Sequence, residues 1–137
     1  MRKLNKGMTL MELLVVMVVV GLLAAISIPA YRNYGIRANR ADAKAALLAT
    51  AGALERCMTR FNSYAEDDGC EVVLPVLSPE GKYEISAETQ TATTFELLAV
   101  PQGPQANDKK CGTFTLNHAN VKNVAKATDT WERCWGR

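Results

Sequence analysis

Cys57, Cys70, Cys111 and Cys134 are the only cysteines in the chain, and His118 is its only histidine. No two of the cysteines stand in a CxxC spacing, and one histidine cannot build a multi-histidine site. A zinc centre and a thioredoxin-like redox motif are therefore disfavoured. An even number of cysteines in a small domain behind a membrane segment reads instead as two disulfides made in an oxidising compartment. Three pairings are open to four cysteines; Cys57–Cys70 with Cys111–Cys134 is favoured, because each closes a local loop. Glu66, Asp67 and Asp68 form an acidic cluster without the alternating oxygen donors of an EF-hand loop, so a solvated turn is expected there. The chain has no glycine-rich phosphate loop and no GxSxG elbow. The expectation is no catalysis, no cofactor and no metal.

Glu12 is the other residue that calls for a chemical reason. Met8 to Ile28 are 21 residues interrupted in their apolar character only by Thr9, Glu12, Gly21 and Ser27. As a helix this run measures about 31 Å, the thickness of a bilayer's hydrocarbon core. Arg2, Lys3 and Lys6 precede it, which places the N-terminus in the cytoplasm. A secretory signal has a shorter apolar core followed by its small-residue cleavage site. Here the small residue, Gly7, comes before the run, and cutting there would remove the basic leader but keep the membrane helix. A carboxylate in hydrocarbon costs several kcal/mol unless it is paired or close to the interface. Glu12 could snorkel to the headgroups and favour the helix dipole, or it could be waiting for a cation.

The pattern K-G-M-T-L-x-E from Lys6 to Glu12, followed by the apolar stretch and Pro29, resembles the type IV pilin precursor signature. The resemblance implies cleavage between Gly7 and Met8 by a membrane aspartic peptidase, the prepilin peptidase, with N-methylation of the new first residue. Met8 stands where the family usually has phenylalanine. The resemblance also implies that Glu12, fifth in the mature chain, pairs with the N-terminal amine of a neighbouring subunit during assembly. Pro29 removes one amide donor and crowds the carbonyl of Ala25, and Gly21 is a second weak point. In the family, the stretch between these two positions is often unwound in the fibre. The segment Cys111–Trp135, "CGTFTLNHANVKN…CW", is similar to the C-terminal region of a subset of type IV pilins and minor pilins, in which the cysteines bracket a surface loop.

These residues need elements to hold them. Leu47, Ala51, Leu54, Met58 and Phe61 make one apolar stripe at helical spacing, expected to pack on a sheet. Arg32, Arg37, Arg40 and Lys44 lie between membrane and stripe and are expected at lipid headgroups, against acidic residues of neighbouring subunits, or in solvent. Asn62–Lys82 is turn-rich, with Pro75 and Pro79, and reads as the connection from helix to sheet. Strands are expected at Tyr83–Ala87, Thr94–Val100 and Thr113–His118, with a short fourth at Val121–Val124. The chain lacks the long crossovers that parallel pairing needs, so the sheet should be antiparallel. Trp131 and Trp135 flank Cys134 and are expected to pack against its disulfide.

The expected protein is α+β, a long N-terminal α-helix packed on a small antiparallel β-sheet. Residues 1–7 would be a cleaved leader, 8–28 the transmembrane and assembly half of the helix, 29–61 its amphipathic half and 62–137 the globular region. The formal charge of +2 is too small to demand nucleic acid as a partner. Losing Arg2, Lys3 and Lys6 would leave 13 basic residues against 14 acidic ones, formally −1. The resemblance implies a structural subunit, major or minor, of a type IV pilus serving adhesion, twitching motility or DNA uptake. Its implied partners are other pilin subunits, the prepilin peptidase, the inner-membrane assembly machinery and, before assembly, membrane lipid; DNA is a further candidate. Its place would be the inner membrane before assembly and an extracellular fibre afterwards. Two alternatives stand beside this. One is a type II secretion pseudopilin, and the other a membrane-anchored binding module that never polymerises, which gives no reason for Gly7 together with Glu12.

Overall fold

Helix α1 runs from Leu10 to Phe61 in the computed structural model, which describes residues 8–136. Its start is written locally. Thr9 precedes the first helical residue and its hydroxyl accepts the amide of Glu12 at 3.2 Å, the Ser/Thr half of a capping box. Pro29 lies inside the helix, and the residues from Gly21 to Pro29 are all helical. The unwinding expected for that stretch concerns the fibre; in the single subunit the stretch is helical.

The chain divides into two compact units, the first ending at Gly35 and the second beginning at Ile36. In the second unit five strands follow α1: β1 (Val76–Leu77), β2 (Tyr83–Gln90), β3 (Phe95–Pro101), β4 (Thr113–Asn117) and β5 (Lys122–Ala125). They pair in sequence order, each antiparallel to the next. The β2–β3 register, Tyr83 opposite Pro101 to Gln90 opposite Phe95, shifts between Ala87 and Thr89. Tyr83, Ile85, Phe95, Leu97, Ala99, Phe114 and Leu116 alternate along β2, β3 and β4 and form one face of the core. Ala43, Ala46, Leu47, Leu54 and Cys57 of α1 bury against them, with Ala51 and Met58 partly buried beside them.

Three expectations about these elements change. Phe61 does not close the apolar stripe: it is 45% exposed, because its ring turns to Gly69, where an added Cβ would lie 3.5 Å away. Strand β1 falls inside the segment read as pure connection. A short helix, α2, occupies Trp131–Trp135. It buries Trp135 in an edge contact with Phe114, ring centroids 5.6 Å apart, and leaves Trp131 44% exposed.

Candidate assembly interface

In the first unit the apolar residues have no cover among the described residues. Every large hydrophobic residue from Met8 to Ile28 is exposed, among them Leu10 at 78% and Ile26 at 75%. The helix is long and apolar enough to cross a membrane. Glu12 lies in its first turn. Its backbone amide is held by Thr9, but its carboxylate has no hydrogen-bond or ion-pair partner among the described residues. Gly7, the other half of the proposed processing site, lies outside the described residues, whereas Met8 is exposed just before the helix. Pro29 sits within α1, seven residues before the second unit begins.

In the second unit polar side chains of α1 fasten the rest of the head. Arg40 donates from Nε to Asp108 Oδ2 at 2.7 Å and from Nη2 to Oδ1 at 2.9 Å, a bidentate pair with Asp108 only 2% exposed. Asp108 Oδ1 also accepts the amides of Lys110 and Cys111, which shapes the entry to β4. Asn39 donates to Gln105 Oε1 at 3.1 Å, while Gln105 Nε2 donates to the Ile36 carbonyl and to the Tyr83 hydroxyl. Burial pushes the Tyr83 phenol up to about 12. Asp42, itself buried, accepts the Ser78 hydroxyl and the Glu80 amide, and Ser78 Oγ accepts the Tyr83 amide at 3.0 Å. Lys44 Nζ donates to the Trp135 carbonyl at 3.2 Å. Arg40 and Lys44 are therefore spent inside the head rather than at headgroups or neighbouring subunits. Their partners lie 68 and 91 residues away, beyond the reach of a local pattern.

Two disulfides complete the head. Cys57 bonds to Cys70, with Cα atoms 5.2 Å apart, joining the end of α1 to the segment before β1. Cys111 bonds to Cys134, with Cα atoms 5.6 Å apart, joining the start of β4 to α2. Tyr64 donates to Glu55 at 3.0 Å and its carbonyl accepts from Gln90, tying the same connection to both helix and sheet. Burial and the Glu55 carboxylate raise the Tyr64 phenol above its ordinary range. His118 lies in the turn just after β4, exposed and edge-on to Phe95 with ring centroids 6.3 Å apart.

The chain thus combines an exposed apolar helix, whose Glu12 carboxylate is unpaired among the described residues, with a disulfide-closed sheet domain. Comparison with known proteins places this combination in a family. The family model described as "Type IV minor pilin ComP, DNA uptake sequence receptor" matches residues 29–115, and that of the prokaryotic N-terminal methylation motif matches residues 2–28. A type IV major alpha-pilin of Moraxella bovis is 32% identical over 134 residues, 94% of this chain and 79% of that one. The type IV major fimbrial protein FimA of Dichelobacter nodosus is 40% identical over 140 residues, 97% of this chain and 85% of that one. Among solved structures, a type IV pilin from Shewanella oneidensis is 32% identical with a TM-score of 0.51, covering 70% of this chain and 97% of that one.

The chain belongs to the type IV pilin family. It is a pilus subunit, a structural protein of a family that assembles into polymers, with a membrane-anchored precursor.

Proposed function

We propose that this subunit is made as a prepilin in the inner membrane with its N-terminus in the cytoplasm. The prepilin peptidase cuts it between Gly7 and Met8 and methylates the Met8 amine. The inner-membrane assembly machinery then draws residues 8–28 out of lipid into a fibre core, where Glu12 meets the amine of a neighbour. Residues 29–61 form the amphipathic half of the helix, with Pro29 as the point at which it can yield, and residues 62–137 form the globular region. The observation that carries this reading is the Glu12 carboxylate, without a hydrogen-bond or ion-pair partner among the described residues, on a helix with no buried residue among Met8–Ile28. A carboxylate so placed is costly in lipid and gains most from a cation delivered by association. Mass spectrometry of fibres sheared from cells tests the processing step: the chain should begin at N-methylated Met8. An intact leader, or a cut beyond Ile28, contradicts it.

A second reading concerns the head. The model matching residues 29–115 is described as a DNA uptake sequence receptor, and Lys109, Lys110 and Lys126 are exposed cations near the second disulfide. This supports capture of duplex DNA at the fibre surface. Binding should weaken steeply with salt, as phosphate contacts require, and replacing the three lysines with glutamine should flatten that slope. Salt-independent binding, or none, removes this reading.

A further inference from the structure

The two disulfides differ in their exposure. Cys111 and Cys134 are 0% and 2% exposed, the latter on the helix that buries Trp135. Cys57 is 7% exposed and lines a surface depression of about 280 Å³ with Ala53, Arg56, Arg60, Glu71 and Val72. Its partner Cys70 is fully buried. Neither Arg56 nor Arg60 has an ion-pair partner among the described residues. Arg60 lies with its guanidinium carbon 5.6 Å above the Phe61 ring. Arg56 folds back over Gly52, Nη1 being 3.7 Å from where a Cβ would stand. Two guanidiniums against the one carboxylate of Glu71 leave the depression positive.

We infer that Cys57–Cys70 is a thiol-exchange site, and that its reagent is a small anionic thiol entering this depression. The incoming thiolate attacks Cys57 Sγ, since Cys57 is the one of the two cysteines that lines the depression. A new sulfur–sulfur bond forms there as the Cys57–Cys70 bond breaks, and the electron pair leaves on Cys70, which takes a proton from solvent. A second thiolate attacks the outer sulfur of the adduct. The reagent departs as its own disulfide, two-electron oxidised, and Cys57 is released as a thiolate beside Arg56 and Arg60. The cations concentrate the anionic reagent, stabilise the negative charge spread over three sulfurs in line, and favour the Cys57 thiolate. Opening this bond would release the tether between the end of α1 and the segment before β1, while Cys111–Cys134 stays closed.

The test uses the full chain in a non-ionic detergent. It is treated with 2-mercaptoethanesulfonate, 2-mercaptoethanol or cysteamine at equal thiolate concentration, then alkylated and mapped by peptide mass. Cys57–Cys70 should open before Cys111–Cys134, with the first adduct on Cys57. The anionic thiol should outrun the cationic one by on the order of tenfold. The double substitution Arg56→Gln with Arg60→Gln should bring that ratio close to one and leave the opening rate of Cys111–Cys134 unchanged. Opening of Cys111–Cys134 first or simultaneously, an initial adduct on Cys70, or the same charge preference in the double variant would overturn the inference.

Discussion

Replacing Asp108 with asparagine tests the clamp between helix and head at its most buried point. The substitution keeps an oxygen able to accept the amides of Lys110 and Cys111 but removes the charge facing Arg40. Breaking a buried ion pair by removing one partner costs about 3–5 kcal/mol, because the remaining charge is left desolvated. Arg40 keeps 13% of its side chain accessible against 2% for Asp108, so the arginine can recover some hydration. The expected loss for Asp108→Asn is thus at the low end, about 3 kcal/mol. Asp108→Ala should add about 1 kcal/mol for each amide left without an acceptor. Urea unfolding of the full chain in detergent, followed by tryptophan fluorescence, reads the difference, since Trp135 is buried in the head. Adding Arg40→Met to Asp108→Asn should restore part of the loss, because it removes the stranded charge. An Asp108→Asn variant within about 0.5 kcal/mol of wild type, the range of ordinary surface substitutions, would refute the reasoning.

Gly112 has φ +53°, and a Cβ there would meet the carbonyl oxygens of Ala125 and Lys126 at 2.5 and 2.7 Å. Gly112→Ala should therefore cost more than about 2 kcal/mol and lower the yield of Cys111–Cys134 disulfide, checked by urea unfolding and non-reducing peptide mapping. Tyr83 has its phenol raised from 10.0 to about 12 by burial, so the folded head prefers the neutral form. The stability this represents is complete below pH 10 and is lost as pH rises toward 12; unfolding free energies measured across that window should fall, and Tyr83→Phe should fall less.

Legibility in the sequence followed the range of the interaction. The alternation of Phe114 and Leu116 with threonines is local, and it placed β4 on the correct face of the core. The helical spacing of Leu47, Ala51, Leu54 and Met58 is local too, and Leu47 and Leu54 are buried with Ala51 and Met58 partly so. Strand β1 left no such mark: its two residues, Val76 and Leu77, are both exposed, close after Pro75 and before Pro79, and pair only because β2 lies alongside. The burial of Asp42 was equally hidden, because its partners Ser78 and Glu80 arrive from a turn 36 and 38 residues further on. Trp131 and Trp135 have the same residue type but opposite fates, decided by which side of α2 faces Phe114. Glu12 stood out because its chemistry conflicts with its neighbours, whatever the tertiary structure.

The central claim is that Glu12 serves association and not the fold of the single subunit. Its carboxylate makes no hydrogen bond or ion pair among the described residues, so Glu12→Ala should insert in the membrane and fold as wild type does. The direct measurement is the amount of processed Glu12→Ala protein in sheared fibres relative to the membrane, in cells lacking the wild-type copy. The account predicts normal amounts of processed protein held in the membrane and almost none in fibres, with Glu12→Gln nearly as defective because the charge is what meets the amine. Incorporation of Glu12→Ala into fibres at the wild-type level would contradict it and leave Glu12 an ordinary carboxylate at the membrane interface.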